Sequence, residues 1–123
     1  MNRAGIFQYV NDYFGTQPEY LWTKFPRFAV LRNSKWYAVI MEIPKSKLGL
    51  DSEELVDVIN VKCGPALVGN LRKEKGIFPA YHMNKDNWIS ILLDGTVSDE
   101  MIQNLLALSY ELTASKAKNG SLK

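Results

Sequence analysis

The chain contains 123 residues, of which 46% are apolar and 23% are charged, and this length and composition suit a single soluble domain with its own core. Its single cysteine excludes an internal disulfide, and one cysteine with one histidine cannot complete a zinc site made of His and Cys. Fifteen basic and thirteen acidic residues leave a net charge of +2, which is too small to indicate a partner. No apolar run is long enough to cross a bilayer. We therefore expect a cytoplasmic protein without signal peptide, membrane contact, metal or cofactor.

Hydrophobic periodicity and turn residues predict three helices and five strands, with no internal repeat or linker between them. Gly15 should end the first helix, Pro65 should open the second, and Ser98 should cap the third. Aromatic and β-branched runs between turn residues indicate the strands. In chain order the predicted elements are a helix over 3–14, strands over 27–32, 36–43 and 55–62, a helix over 65–72, strands over 77–81 and 88–93, and a helix that begins after Ser98.

The order of these elements, α-β-β-β-α-β-β-α, predicts an α+β fold. Hairpins with few crossovers are typical of a two-layer architecture, in which an antiparallel sheet of about five strands carries helices on one face. We expect a single domain over residues 1–115. Residues 116–123 are rich in Ser, Lys, Asn and Gly and should form a frayed tail.

Strand periodicity assigns the side chains of the sheet to two faces. We expect an open face with Trp36, Ile40 and Trp88 as anchors for a protein partner or a second copy of the chain, because large apolar patches often mark interaction surfaces. The alternative is that loops, foremost residues 44–54, fold over these side chains. The better candidates for the helix-covered face are Tyr37, Val39, Met41 and Ile43 in the second strand and Ile89, Ile91 and Leu93 in the fifth.

Motifs of known enzymes are missing from the chain: it has no glycine-rich nucleotide loop, no His-Glu-x-x-His and no Gly-x-Ser-x-Gly. Cys63 and His82 could form a nucleophile and its base. However, Cys63 ends an apolar strand, and Lys62 is the only neighbour that would lower the pKa of its thiol. A buried structural thiol is the better interpretation, and we expect no enzymatic activity.

The most distinctive segment of the chain runs from Pro79 to Gly95. It places His82, Asn84 and Lys85 between two predicted strands. In a structural interpretation, His82 and Asn84 hold backbone groups of a turn. In a functional one, the same polar groups contact phosphates or bases, with Trp88 nearby for stacking.

A family signature is visible in Tyr81-His82-Met83-Asn84-Lys85-x-x-Trp88, in Leu93-Asp94-Gly95 and in Ser109-Tyr110. These residues resemble the MmcQ/YjbR family, and the resemblance extends over about residues 5–113. It implies a two-layer α+β fold similar to CyaY-like domains and secretion chaperones, with the element order given above. It also implies DNA binding, by analogy with a double-wing sheet, and no enzymatic chemistry. Asn87 stands where the family commonly has a histidine.

Two functions therefore remain as hypotheses. The first is a non-enzymatic DNA-binding module; the second is a protein-binding or self-associating module that uses the open face and has no role with nucleic acid. The clustering of cations on one face would favour the first, because the net charge alone does not. In the first hypothesis a basic hairpin and the polar loop contact backbone phosphates through Arg27, Arg32, Lys35, His82, Asn84 and Lys85.

Overall fold

The computed structural model describes residues 1–114, and the predicted tail over 116–123 lies outside the described residues. Local signals placed the helix ends correctly, because Gly15 takes the left-handed conformation after the first helix and Ser98 caps the last one through the N–H of Met101. In chain order the elements are α1 (Arg3–Phe14), β1 (Ala29–Arg32), β2 (Trp36–Pro44), a short 3-10 helix (Lys45–Leu48), β3 (Leu55–Lys62), α2 (Pro65–Leu71), β4 (Ile77–Pro79), β5 (Trp88–Leu92) and α3 (Asp99–Leu112).

The strands form one antiparallel sheet in the order β1-β2-β3-β5-β4. The last strand of the sequence, β5, thus lies inside the sheet, and β4 lies at its edge. The predicted α+β fold and the predicted order of elements are confirmed. Among the described residues, no helix is both long enough and apolar enough to cross a membrane.

Both faces of the sheet are covered, but by different elements. The helices cover one face, which we call the helix face, and α3 contacts β2 and β3 there. The opposite face, which we call the second face, is covered in part by Trp22 and Phe28 from the segment after α1 and by Leu48 from the 3-10 helix. Buried side chains of the second face are Val30, Val39, Met41, Ile43, Val58 and Leu92.

A β-bulge in β2 inserts Tyr37 as an additional residue opposite β1. Arg32 is paired with Trp36, whereas the neighbouring pair is Leu31 with Ala38. An additional residue reverses the alternation of side chains for the rest of the strand and interrupts the ladder of backbone hydrogen bonds. The bulge therefore decides which residues of β2 contact the helices.

The predicted faces are correct for Ile89, Ile91 and Leu93 and wrong for most of β2. Ile40 lies on the helix face and is fully buried, so the prediction that it anchors a partner on an open face is wrong. Trp36 precedes the bulge and lies on the second face, as predicted. The side chains wrongly assigned to the helix face are Val39, Met41 and Ile43.

A buried serine of α3 satisfies the backbone at the bulge. The hydroxyl of Ser109 donates to the carbonyl oxygen of Tyr37 and accepts a hydrogen bond from the N–H of Lys62 at 2.8 Å. At the hairpin turn, Nδ2 of Asn33 donates to the carbonyl oxygen of Tyr110 at 3.0 Å. The β1–β2 hairpin is therefore attached to the last turn of α3.

Candidate functional site

An aromatic pocket of about 290 Å³ opens on the second face, at the end of the sheet where β2 and β5 begin. Three segments supply its walls: the irregular segment after α1, strand β2, and the loop between β4 and β5. No carboxylate, ammonium or guanidinium group belongs to its described lining. The lining residues are Trp22, Phe25, Phe28, Trp36, Met41, Tyr81, His82 and Met83.

The rings of the first two walls contact one another in fixed orientations. Trp22 stands edge-to-face against Trp36, with ring centroids 5.7 Å apart and planes at 84°, and against Phe28 at 5.9 Å and 77°. Phe25 stacks on Phe28 at a centroid distance of 4.8 Å. Because such contacts favour particular ring geometries, the pocket is formed before any ligand arrives.

The irregular segment that carries three of these rings is fixed to the sheet at its start. Oγ1 of Thr16 accepts a hydrogen bond of 2.7 Å from the buried hydroxyl of Tyr37. Glu19 and Val30 exchange two backbone hydrogen bonds, of 2.9 and 2.8 Å. The segment therefore leaves the edge of β1 in a defined direction and places its rings over the second face.

Two buried polar side chains, Asn60 and Ser90, fix the third wall, and we call them the Asn60–Ser90 clamp. They are directly paired between β3 and β5, and both are fully buried. Nδ2 of Asn60 donates to the carbonyl oxygen of Tyr81 at 2.8 Å, and the N–H of Tyr81 donates to Oγ of Ser90 at 3.0 Å. The Ser90 hydroxyl donates to Oδ1 of Asn60. Both backbone polar groups of Tyr81 are thus satisfied by the sheet.

His82 follows the clamp in a backbone conformation that is uncommon for its type. Among residues 1–114 it is the one non-glycine residue with positive φ, at 58°. Such backbone strain persists where the surrounding structure imposes it, and it concentrates at functional sites. The imidazole lies 4.0 Å from the ring of Tyr81, measured between centroids, and lines the pocket.

The structural interpretation of the polar loop holds for Asn84 and not for His82. Oδ1 of Asn84 accepts a hydrogen bond from the N–H of Asp86 at 2.8 Å, and its carbonyl oxygen accepts one from the N–H of Trp88 at 2.9 Å. His82 forms no hydrogen bond with the described part of the chain. Asn84 shapes the turn, whereas the imidazole of His82 is free to meet a ligand.

The two arginines of the predicted basic hairpin both lie near carboxylates. Nε of Arg32 lies 2.8 Å from Oε2 of Glu19. Arg27 lies near the opposite end of β2, where its guanidinium is 3.5 Å from carboxylate oxygens of Glu42 and Asp57. Both arginines are therefore within ion-pair distance of carboxylates while their side chains remain about half exposed.

Three exposed lysines lie within two residues of lining residues in the sequence, and we call them the lysine rim. Lys24 precedes Phe25, Lys35 precedes Trp36, and Lys85 follows Met83 by two residues. Each of the three walls therefore carries one lysine beside a lining residue. None of the three lysines forms an ion pair with a described residue. The pocket itself is apolar, and each segment that supplies a wall also carries one exposed lysine.

Two other residues singled out from the sequence lie away from the pocket. Trp88 is half-buried and paired with Lys62 in the ladder, and it does not line the pocket. Cys63 packs into the core of the helix face, where burial raises the pKa of its thiol. Since His82 lies on the second face, no nucleophile–base pair forms. Within residues 1–114, no three His, Cys, Asp or Glu side chains are grouped as metal ligands.

Sequence reasoning missed one wall of the pocket and the clamp that holds another. The available signal for the wall was the aromatic density of residues 20–28, in a stretch without helical or strand periodicity. The signal for the clamp was Asn60 itself, a single amide within an apolar strand. A buried polar residue in such a strand requires a partner, and here the partner is the loop.

The comparisons with known proteins agree with this fold. The sequence profile of the YjbR family matches residues 12–112. The chain belongs to the YjbR family. The family resemblance seen in the polar loop and in Ser109-Tyr110 is thereby confirmed.

Relatives of known sequence or structure extend the YjbR assignment to nearly the whole chain. The Bacillus subtilis protein YyaQ is 43% identical over 116 residues, which are 92% of this chain and 98% of YyaQ. The Escherichia coli (strain K12) protein YjbR is 33% identical over 54 residues, 43% of this chain and 46% of that protein. A crystal structure of a Pseudomonas syringae protein has a TM-score of 0.90 and 46% identity, and the match covers 93% of this chain and 100% of that one. A Deinococcus radiodurans protein, 23% identical with a TM-score of 0.74 over 98% of this chain and 87% of its own, shares the fold.

Proposed function

We propose that this protein is a non-enzymatic nucleic-acid-binding module that contacts backbone phosphates through its lysine rim. The observation that carries the proposal is that Lys24, Lys35 and Lys85 are exposed, that each belongs to a different segment supplying a wall of the aromatic pocket, and that none is paired with a described carboxylate. Phosphate contacts from lysine position a protein on nucleic acid and supply much of the affinity.

Local clustering matters here more than the overall charge. The net charge of +2 provides little long-range attraction. Arg27 and Arg32 lie within ion-pair distance of carboxylates, whereas the three lysines of the rim have no such partner among the described residues. Asp86 is the acidic residue next to Lys85 in the chain.

The salt dependence of binding tests this proposal. Lys85→Ala should weaken binding to DNA several-fold at low salt, because one phosphate contact is lost. It should also flatten the plot of log affinity against log salt by about 0.7 to 0.9, since each contact releases condensed counterions. Fluorescence anisotropy with labelled DNA over a salt series measures both quantities.

Lys47→Ala is the matched control, because Lys47 is an exposed lysine of the 3-10 helix at the other end of β2. It removes the same charge and should leave the affinity and the salt slope unchanged. An equal loss from Lys47→Ala would show that the lysine rim is not the contact surface. The absence of any binding at low salt would remove the proposal altogether.

A second candidate function, self-association, is favoured by the exposed apolar side chains beside the pocket. Tyr20, Leu21 and Phe25 are 56%, 53% and 50% exposed, and contiguous apolar surface of this kind often mediates contacts between proteins. Sedimentation velocity at increasing concentration tests this candidate. A dimer should dissociate on Leu21→Glu, which places a charge in an apolar contact; a wild-type monomer at high concentration would exclude it.

A further inference from the structure

We infer that the aromatic pocket accepts one unstacked base of a single strand, so that the module prefers single-stranded nucleic acid to a duplex. This inference rests on the proposed function and concerns the same site. In this arrangement the lysine rim contacts the phosphates of the strand, and the recess holds one of its bases. The two parts of the site then recognise the two parts of a nucleotide.

The size of the recess suits one nucleobase. Its volume of about 290 Å³ lies at the lower end of the range of small-molecule pockets. A base within a duplex is stacked on both sides and paired at its edge, so it cannot enter a recess in a protein surface without being extruded. An unpaired strand exposes its bases at a much lower free-energy cost. The pocket should therefore bind a single strand more tightly than a duplex.

The lining offers a base both stacking surfaces and polar atoms. Trp22 and Trp36 stand nearly perpendicular to each other, so one ring can stack on a base while the other contacts its edge. Aromatic stacking of this kind tolerates any base, because every base has a π face. The indole N–H of Trp36, the hydroxyl of Tyr81 and the imidazole of His82 form no hydrogen bonds with described residues, and none of these atoms is buried without a partner.

Charge decides between this ligand and the other groups that an aromatic recess can hold. A methylated ammonium group would also suit aromatic rings, but each segment that supplies a wall carries an exposed lysine, and like charge disfavours a cation there. An uncharged apolar side chain would fill the recess and leave the lysines unused. A flat ring joined to a phosphate uses both features.

The pocket is prepared for such a ligand by contacts outside its lining. The Asn60–Ser90 clamp fixes the backbone of Tyr81, and the hydrogen bond between Tyr37 and Thr16 fixes the start of the segment that carries Trp22. A preformed site loses less conformational entropy when it binds. Strain at His82, whose φ is 58°, fits a side chain held at the rim for contact with a ligand.

The test compares a labelled oligothymidine strand with a blunt-ended duplex of equal phosphate number, by fluorescence anisotropy at one salt concentration. We expect the single strand to bind at least about tenfold more tightly. Trp36→Leu should weaken single-strand binding roughly tenfold and leave duplex binding nearly unchanged, because stacking is lost and the lysines remain. Quenching of tryptophan fluorescence should accompany binding of the strand and be smaller in this variant, which keeps Trp22 in the lining.

His82→Gly provides a second variant in case Trp36→Leu disturbs the fold. Glycine adopts positive φ without strain, so this change removes the imidazole and keeps the backbone. It should weaken single-strand binding several-fold more than duplex binding.

Four outcomes would count against the inference in different ways. Equal affinity for both substrates, with no effect of Trp36→Leu or His82→Gly, would overturn the inference and leave phosphate binding intact. Displacement of the strand by thymidine monophosphate at the same concentration would overturn the assignment to a strand in favour of a free nucleotide. If neither the single strand nor the duplex binds at low salt, the inference and the proposed function both fail. Equal weakening of strand and duplex by the ring variants would overturn the separate role of the pocket.

Discussion

Replacement of Ser109 by alanine should lower the free energy of unfolding by about 2 to 4 kcal/mol. The hydroxyl of Ser109 serves the carbonyl oxygen of Tyr37 and the N–H of Lys62 at once. Ser109 itself is fully buried, so its removal leaves both backbone groups without a partner inside the protein, and each costs about 1 to 3 kcal/mol. Urea denaturation followed by circular dichroism measures the difference.

Ser98→Ala is the appropriate comparison, since Ser98 also bonds a backbone N–H but lies exposed at the start of α3. The loss of this cap should cost about 1 kcal/mol. If the two variants were equally stable, the link between Ser109 and the bulge would contribute nothing beyond an ordinary exposed hydrogen bond, contrary to our account.

The second large effect should come from Asn60→Ala, which removes half of the clamp. The carbonyl oxygen of Tyr81 and the hydroxyl of Ser90 both lose the partner that Asn60 provides. We expect the free energy of unfolding to fall by about 1 to 3 kcal/mol. Because Tyr81 then loses its fixed position, affinity for single-stranded DNA should fall as well, even in conditions where the variant is fully folded.

Asn84→Ala is the matched control for this change, because it alters the same side chain in the adjoining loop. Asn84 is exposed, and its side chain bonds only the N–H of Asp86. Its replacement should cost about 0.5 kcal/mol or less. Amide hydrogen exchange of Tyr81 should accelerate in Asn60→Ala and remain unchanged in Asn84→Ala. The reverse pattern would show that the turn around Asn84, and not the sheet, holds the loop in place.

The sequence was sufficient for the elements of the fold, because their signals are local. Gly15, Pro65 and Ser98 act within one helical turn of their own positions. The face of β2 could not be predicted in this way. A bulge at Tyr37 depends on Ser109, which is distant in sequence and is needed to satisfy the interrupted ladder.

Some residues of the candidate site could likewise be predicted from the sequence, and others could not. Trp36, Lys35 and the residues from Tyr81 to Lys85 were recognisable because the pattern around them is distinctive. The pairing of Arg32 with Glu19 depends on a contact between separate segments, and no local pattern indicates it. The same is true of the wall that Trp22 contributes, since its position results from the path of an irregular segment.

The order of strands in the sheet also has a consequence for synthesis of the protein. Strand β4 pairs with β5 alone, so it has no partner on a ribosome until residues 88–92 have emerged. The part of the helix face that α3 covers on β2 and β3 stays exposed still longer, because α3 comes last of the described elements. Domains whose contacts are long-range in sequence fold slowly, and their uncovered apolar surface is prone to aggregation. The nascent chain therefore displays part of its future core until α3 has been made, and it depends on rapid docking of that helix.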